Sequence, residues 1–238
     1  MYQEIGFSQE FQHRREWEWL CAHANCSAVW NGGCCWNLSR RSVGVQSQDR
    51  KRRDKPLRPA SSRNLLVFIV VIETARLLIR NLEQEDFDAF HEMQSDAEVM
   101  RFTSGEAYDE AENLRQLQDC IDRYSQPDND FWVWAIVQKS DQEFVGTCAI
   151  VPNKGQPEIG YRFLRKYFGN GYGQEVCDGL IEYGIDKMGL PEIVAWVDVR
   201  NVASRKILDR SRLEFVEEIL SEEGETDRFY RWSASEGE

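Results

Sequence analysis

Positive charge is in short supply in this chain. It has 29 Lys and Arg against 41 Asp and Glu, a net charge of −12. An acidic surface repels nucleic acid and favours a cationic partner. Long apolar runs are also missing. The longest, residues 65–72, is eight residues, whereas a membrane span needs about 20. The charged N-terminus does not have the pattern of a signal peptide. Seven cysteines are present without the spacing of a disulfide framework, which points to a reducing cytoplasm. Of these, Cys120, Cys148 and Cys177 lie inside apolar segments and read as small core residues. Cys21, His23, Cys26 and Cys34 or Cys35 cluster, but without the paired spacing of a zinc site, so no metal is expected.

Charge is unevenly distributed. Residues 1–71 carry 11 of the Lys and Arg but only 6 of the Asp and Glu, so the acidity belongs to the remainder. This sets a boundary near residue 71. The first part shows no sustained helix or strand period and is read as an N-terminal extension, disordered or outside the functional chain. Its basic run, Arg50-Lys51-Arg52-Arg53, reads as a solvated linker. A nucleic-acid reading of that run would predict salt-sensitive binding that vanishes without residues 1–71.

The most informative run is Lys166-Tyr167-Phe168-Gly169-Asn170-Gly171-Tyr172-Gly173-Gln174-Glu175. It follows an apolar strand-like stretch, 159–164, and precedes a helix-like segment, 174–188. Glycines at a helix start leave backbone N–H groups unpaired and let a ligand approach closely, and the helix dipole adds partial positive charge. Such a place suits a phosphate. There is no Gly-x-x-x-x-Gly-Lys-Ser/Thr run, and the Gly-x-Gly-x-Gly spacing differs from the dinucleotide fingerprint.

The loop resembles the Gln/Arg-x-x-Gly-x-Gly/Ala loop of the GNAT superfamily of N-acetyltransferases, with Lys166 where Gln or Arg is usual. A strand over 192–199 followed by Asn201-x-x-Ser204 and a helix resembles the RimJ/RimL-like branch, the ribosomal-protein and related amine acetyltransferases. The opening Val71-Ile72-Glu73-Thr74-Ala75-Arg76-Leu77-Leu78-Ile79-Arg80 and the ending Asp227-Arg228-Phe229-Tyr230-Arg231-Trp232 are similar to the same branch. The branch normally opens Met-Ile-Glu-Thr, and Val71 stands at the Met position. Residues 1–70 are therefore expected to be translated upstream sequence, with an N-acetyltransferase domain over 72–238.

Periodicity gives the elements. Leu77 and Ile79 share one strand face, with Arg76 and Arg80 on the other. Helices are expected over 83–96, with Phe87, Phe90 and Met93 inward, and from Ser104 or Asp109 to Tyr124, with Leu114, Leu117 and Ile121 on one face. Strands at 131–137 and 144–151 flank the turn Lys139-Ser140-Asp141-Gln142. Two last strands, 214–220 and 228–232, flank Glu223-Gly224. Phe131, Trp134 and Trp196 read as core. The order β-α-α-β-β-β-α-β-α-β-β is mixed α/β (α+β): a largely antiparallel central sheet with helices on both faces, the GNAT order.

The resemblance implies acetyl transfer from acetyl-CoA to a primary amine by direct attack on the thioester. The acceptor would be a small molecule or a peptide N-terminus, the enzyme a cytoplasmic monomer or homodimer, with no nucleic acid, membrane or metal involved. The alternative is a catalytically degenerate CoA-binding protein. By resemblance, Phe163, Leu164, Lys166, Gly169, Asn170, Gly171, Tyr172 and Gly173 hold the cofactor, joined by Asn201 and Ser204. The 159–164 strand would lie along the pantetheine. Leu208 occupies the position of the usual tyrosine acid, so Ser204 takes the leaving-group role. Glu158 is the first choice of base, ahead of Glu192, Asp198 and Glu175. Asn201 and Ser204 also suit an N-cap and a first-turn serine, and Glu175 suits a helix-dipole partner. The acceptor pocket is expected from residues 100–106, with Phe102 and Glu106, and from the terminal hairpin. Arg212 stands where the family usually has a left-handed glycine, which would cost roughly 1 kcal/mol if φ became positive there.

Overall fold

The computed structural model describes residues 69–220 and 224–234. The readings of residues 1–68, including the cysteine cluster and the basic run, lie outside the described residues, as does Glu223.

In chain order come β1 (Val70–Glu73), β2 (Leu77–Asn81), α1 (Phe87–Gln94), α2 (Ala97–Met100) and α3 (Glu110–Arg123). Then follow β3 (Trp132–Gln138), β4 (Phe144–Asn153), β5 (Gln156–Phe163), α4 (Tyr172–Asp186), β6 (Glu192–Asp198), α5 (Val202–Leu208), β7 (Glu214–Leu220) and β8 (Thr226–Ser233). The strands form one sheet in the order β1-β2-β3-β4-β5-β6-β8-β7. Every pairing is antiparallel except β5 with β6. This is the expected mixed α/β architecture.

Helices cover both faces, which explains why β3 and β4 read as continuous apolar runs. Trp134, Ile136, Cys148 and Ile150 point to the side where α4 packs with Val176, Cys177, Leu180 and Ile181. Val133, Ala135, Ala149 and Val151 point the other way, to Phe90 and Met93 of α1 and Leu117 of α3.

Four expectations need correction. The opening segment is two strands, because Thr74 closes a turn: its backbone N–H donates to the Leu77 C=O and its hydroxyl accepts the Leu77 N–H. Leu114 is 48 % exposed while Leu117 is fully buried; the α3 face that packs inward is centred on Asn113 and Leu117. Arg80 is buried rather than outward, because Asp86 receives it in a two-pronged ion pair at 2.7 Å on each arm. Arg212 does not adopt positive φ, since among described non-glycine residues only Gln142 and Lys154 do. The turn after α5 is closed by Ser211, whose hydroxyl donates to Leu208 C=O and accepts from Leu213 N–H.

Helix α3 starts at the Asp109 alternative, whose side chain accepts the Glu112 N–H. Helix α4 starts two residues earlier than expected, directly after Gly171.

Candidate active site

Strands β5 and β6 share a single ladder position, Glu158 opposite Val194. No further ladder position joins them, whereas β5 stays paired with β4 along its whole length. A cavity of about 960 Å³ occupies this divergence. Residues 159–163 of β5, 195–198 of β6, the glycine loop, the start of α5 and residues 98–104 line it.

The glycine loop closes one end. Gly169 and Gly171 have φ of +79° and +77°, a region that L side chains rarely adopt. Gly171 is the N-cap of α4. The loop's last backbone bond runs from Phe168 N–H to Arg165 C=O. Among the described residues, no protein acceptor outside the helix takes an N–H of residues 169–173. These amides sit at the positive end of a 15-residue helix.

The structure gathers most of the expected binding residues here. Phe163, Gly169, Gly171, Tyr172 and Gly173 line the cavity. Asn170 turns its carbonyl outward to Arg76. Lys166 lies 3.7 Å from Glu92 and over the Tyr167 ring, away from the cavity lining. Leu164 is 1 % exposed and packs in the core. What the loop itself offers to the cavity is therefore backbone rather than a lysine.

At the start of α5 the Asn201 side chain accepts the Ser204 N–H at 3.1 Å, which makes Asn201 the N-cap. Ser204 does more than fill a helix turn. Its hydroxyl meets the Tyr161 hydroxyl at 3.1 Å, and both residues line the cavity. Burial pushes the Tyr161 phenol well above its usual range, so it keeps its proton.

Glu158 is 6 % exposed and lines the same cavity. Burial pushes its carboxyl up to about 7, against the opposing pull of hydrogen bonds from the Asn153 amide at 2.8 Å and the Trp196 backbone. That value suits a group exchanging protons near neutral pH. The other carboxylates are committed elsewhere. Asp198 is gripped by Arg200, Glu175 by Arg76 and Thr74, and Glu192 accepts from Gln156 away from the cavity.

On the acceptor side, Phe102 lines the cavity with Met100, Arg101, Thr103 and Ser104, while Glu106 does not. Among the described residues of the terminal hairpin only Asp227 reaches it. Trp196, expected in the core, is half-buried and forms part of the wall, stacked on Phe229 at 4.4 Å. Its apolar sequence neighbours concealed this, because β6 leaves β5 where it stands.

Three residues were missed. Arg76 read as a solvent-facing strand residue, yet it binds the loop. Tyr161 read only as a strand residue in step with Ile159 and Phe163. Arg162 lines the cavity with its guanidinium on Gln94, a fully buried amide bonded in turn to Asn113. No sequence spacing signals these pairings, which span 43 to 94 residues.

Among the described residues no group of three or more His, Cys, Asp or Glu could hold a metal ion. No described helix is long and apolar enough to cross a membrane.

Known proteins share this fold. The profile of the acetyltransferase (GNAT) domain matches residues 76–214. The uncharacterized N-acetyltransferase p20 of Bacillus licheniformis is 31% identical over 139 residues, covering 57% of this chain and 78% of p20. Among solved structures, a GNAT-family acetyltransferase from Bacillus anthracis has a TM-score of 0.60 at 23% identity, covering 68% of this chain and 97% of its own. RimL, a ribosomal L7/L12 alpha-N-protein acetyltransferase solved with coenzyme A, also scores 0.60, at 14% identity, covering 71% and 99%. At those identities the two structures establish the fold.

Proposed function

The chain belongs to the GNAT acetyltransferase family, and from that premise we propose that it transfers the acetyl group of acetyl-CoA to a primary amine by direct attack on the thioester. One observation carries the reading: residues 169 and 171–173, whose N–H groups have no acceptor outside the helix among the described residues, line the same cavity as the stretch of β5 that has no ladder partner on β6. Acetyl-CoA supplies an activated acyl group on a long arm anchored by a diphosphate. A diphosphate suits converging N–H groups at a helix start, and the amides of the arm suit an unpaired strand edge. The glycines leave room for that approach, and the coenzyme A held by RimL supports the assignment.

The chain's own residues divide the work. The loop amides bind, with Phe163 beside them. Lys166 and Leu164 contribute through loop shape and core packing. Glu158 takes the proton released by the attacking amine. Ser204 Oγ donates to the leaving sulfur while it accepts from Tyr161, and Asn201 fixes the helix turn that carries Ser204. A backbone N–H of the β5 edge stabilises the developing oxyanion. We place the catalytic domain at residues 72–238, with residues 1–71 as an extension, and the acceptor as a small-molecule or peptide N-terminal amine. The Asn201–Ser204 segment favours the RimJ/RimL-like branch.

The test is release of free thiol from acetyl-CoA by the full chain across a panel of primary amines. Amine-dependent release is expected. Tight CoA binding without release for any amine would instead identify a binding protein that has lost catalysis.

A further inference from the structure

Arg76 lies outside the cavity lining but holds the loop at Asn170 and the first turn of α4 at Tyr172 and Glu175. Its Nη1 donates to the Asn170 carbonyl at 2.9 Å. Its Nε donates to Glu175 Oε2 at 2.8 Å, and its backbone N–H to Glu175 Oε1 at 2.7 Å. Its guanidinium lies over the Tyr172 ring, 4.6 Å from the centroid. Thr74, two residues earlier, donates to the same Oε1 at 2.5 Å. The β1–β2 turn thus grips the Asn170 carbonyl and the first turn of α4 together.

Two physical consequences follow. A carboxylate in the first turn of α4 stabilises the helix, but it also repels any anion brought to the same N-terminus. An ion pair through the guanidinium Nε, joined by the Arg76 backbone N–H on the other oxygen, offsets that charge locally. The second consequence concerns the peptide linking Asn170 to Gly171. A peptide is planar, so a carbonyl drawn outward to Arg76 turns the Gly171 N–H the opposite way.

We propose that Arg76 is a positioning residue for diphosphate binding: it neutralises Glu175 and fixes the Asn170–Gly171 peptide so that the loop amides face the anion. This rests on the cofactor assignment given above. The diphosphate is the chemical group concerned, so ligands lacking it are indifferent to Arg76.

The experiment is titration calorimetry of the full chain with CoA, paired with kinetics on acetyl-CoA and on acetyl-pantetheine, which lacks the diphosphate. Arg76→Ala is expected to weaken CoA binding about tenfold or more, as for loss of a charge-assisted pair. The turnover at saturating acetyl-CoA and the kinetics with acetyl-pantetheine stay near wild type. Adding Glu175→Gln to Arg76→Ala recovers part of the CoA affinity, because the exposed carboxylate is gone. Arg76→Lys, which keeps the charge and the fold, loses less than Arg76→Ala. Unchanged CoA affinity in Arg76→Ala, or equal losses with acetyl-CoA and acetyl-pantetheine, would overturn the proposal. Failure of the wild type to release thiol leaves the calorimetry decisive for Arg76, whereas failure to bind CoA at all removes the cofactor assignment itself.

Discussion

The hydroxyl of Tyr161 stands 3.1 Å from that of Ser204, one carried by β5 and the other by the first turn of α5. Burial holds the phenol in its protonated form, so Tyr161 has a proton to give, and we assign it as the donor to Ser204. The serine's own proton is then directed away from the tyrosine. Tyr161→Phe is expected to lower kcat about tenfold, as for one hydrogen bond that strengthens with developing charge, with KM for acetyl-CoA little changed. Ser204→Ala should fall at least as far, and the double variant less than the product of the two, because the pair acts as a unit. Steady-state kinetics on the three variants decides it. A loss confined to KM would remove the pair from the chemical step.

Glu158 couples activity and stability to pH in opposite directions. Its folded carboxyl titrates at about 7, against an ordinary value of 4.5. Activity that needs the carboxylate should rise through pH 7, and kcat/KM should lose that inflection in Glu158→Gln. For stability, the unfolded chain sheds this proton near 4.5 and the folded chain only near 7. Stability therefore falls as pH rises between these values, and the cost persists above 7. Glu158→Gln should accordingly gain stability relative to wild type at pH 8 and little at pH 5, as read by denaturant titration.

Most of the fold was legible because its elements carry their own periodicity or punctuation. The glycine loop, the Asp109 and Asn201 caps and the apolar strands β3 and β4 all declare themselves locally. Part of the cavity lining was legible where it is backbone, as at Gly169, Gly171 and Gly173, and where a motif marks the side chain, as at Ser204. It was not legible where distant segments meet. The link from Arg76 to Asn170 spans 94 residues and that from Arg162 to Gln94 spans 68. Strand period placed Arg76 and Arg80 on a polar face together, but tertiary packing sends one to the loop and buries the other against Asp86. Trp196 escaped for a related reason, because a strand that diverges from its neighbour exposes a residue that local hydrophobicity assigns to the core.

The Arg80–Asp86 pair is a structural hinge between β2 and α1. Both side chains are nearly buried, and Asp86 also accepts the Glu83 N–H. Burial opposes the charge on Arg80, and hydrogen bonding and attraction to Asp86 more than offset it, so its pKa rises. Removing Asp86 takes away the two-pronged carboxylate that offsets the burial of the Arg80 charge. Asp86→Ala should destabilise by about 3–5 kcal/mol, measured by denaturant unfolding. A loss below about 1 kcal/mol, the level of an exposed pair, would show that Arg80 finds water or another acceptor.

Gly171 separates backbone strain from anion exclusion. Its φ of +77° makes any side chain unfavourable, yet a Cβ there meets only Arg76 Nη2, at 3.6 Å. Gly171→Ala should therefore fold, at a cost of about 1–2 kcal/mol for the left-handed conformation, and should bind CoA with modest loss. Gly171→Glu carries the same backbone strain and adds a carboxylate among the amides that we assign to the diphosphate. It should melt close to Gly171→Ala while CoA binding disappears. If the two variants lost CoA affinity equally, strain alone would explain the effect and the diphosphate would have to lie elsewhere. Retained CoA binding in Gly171→Glu would rule out the loop as its site, whatever the activity of the wild type.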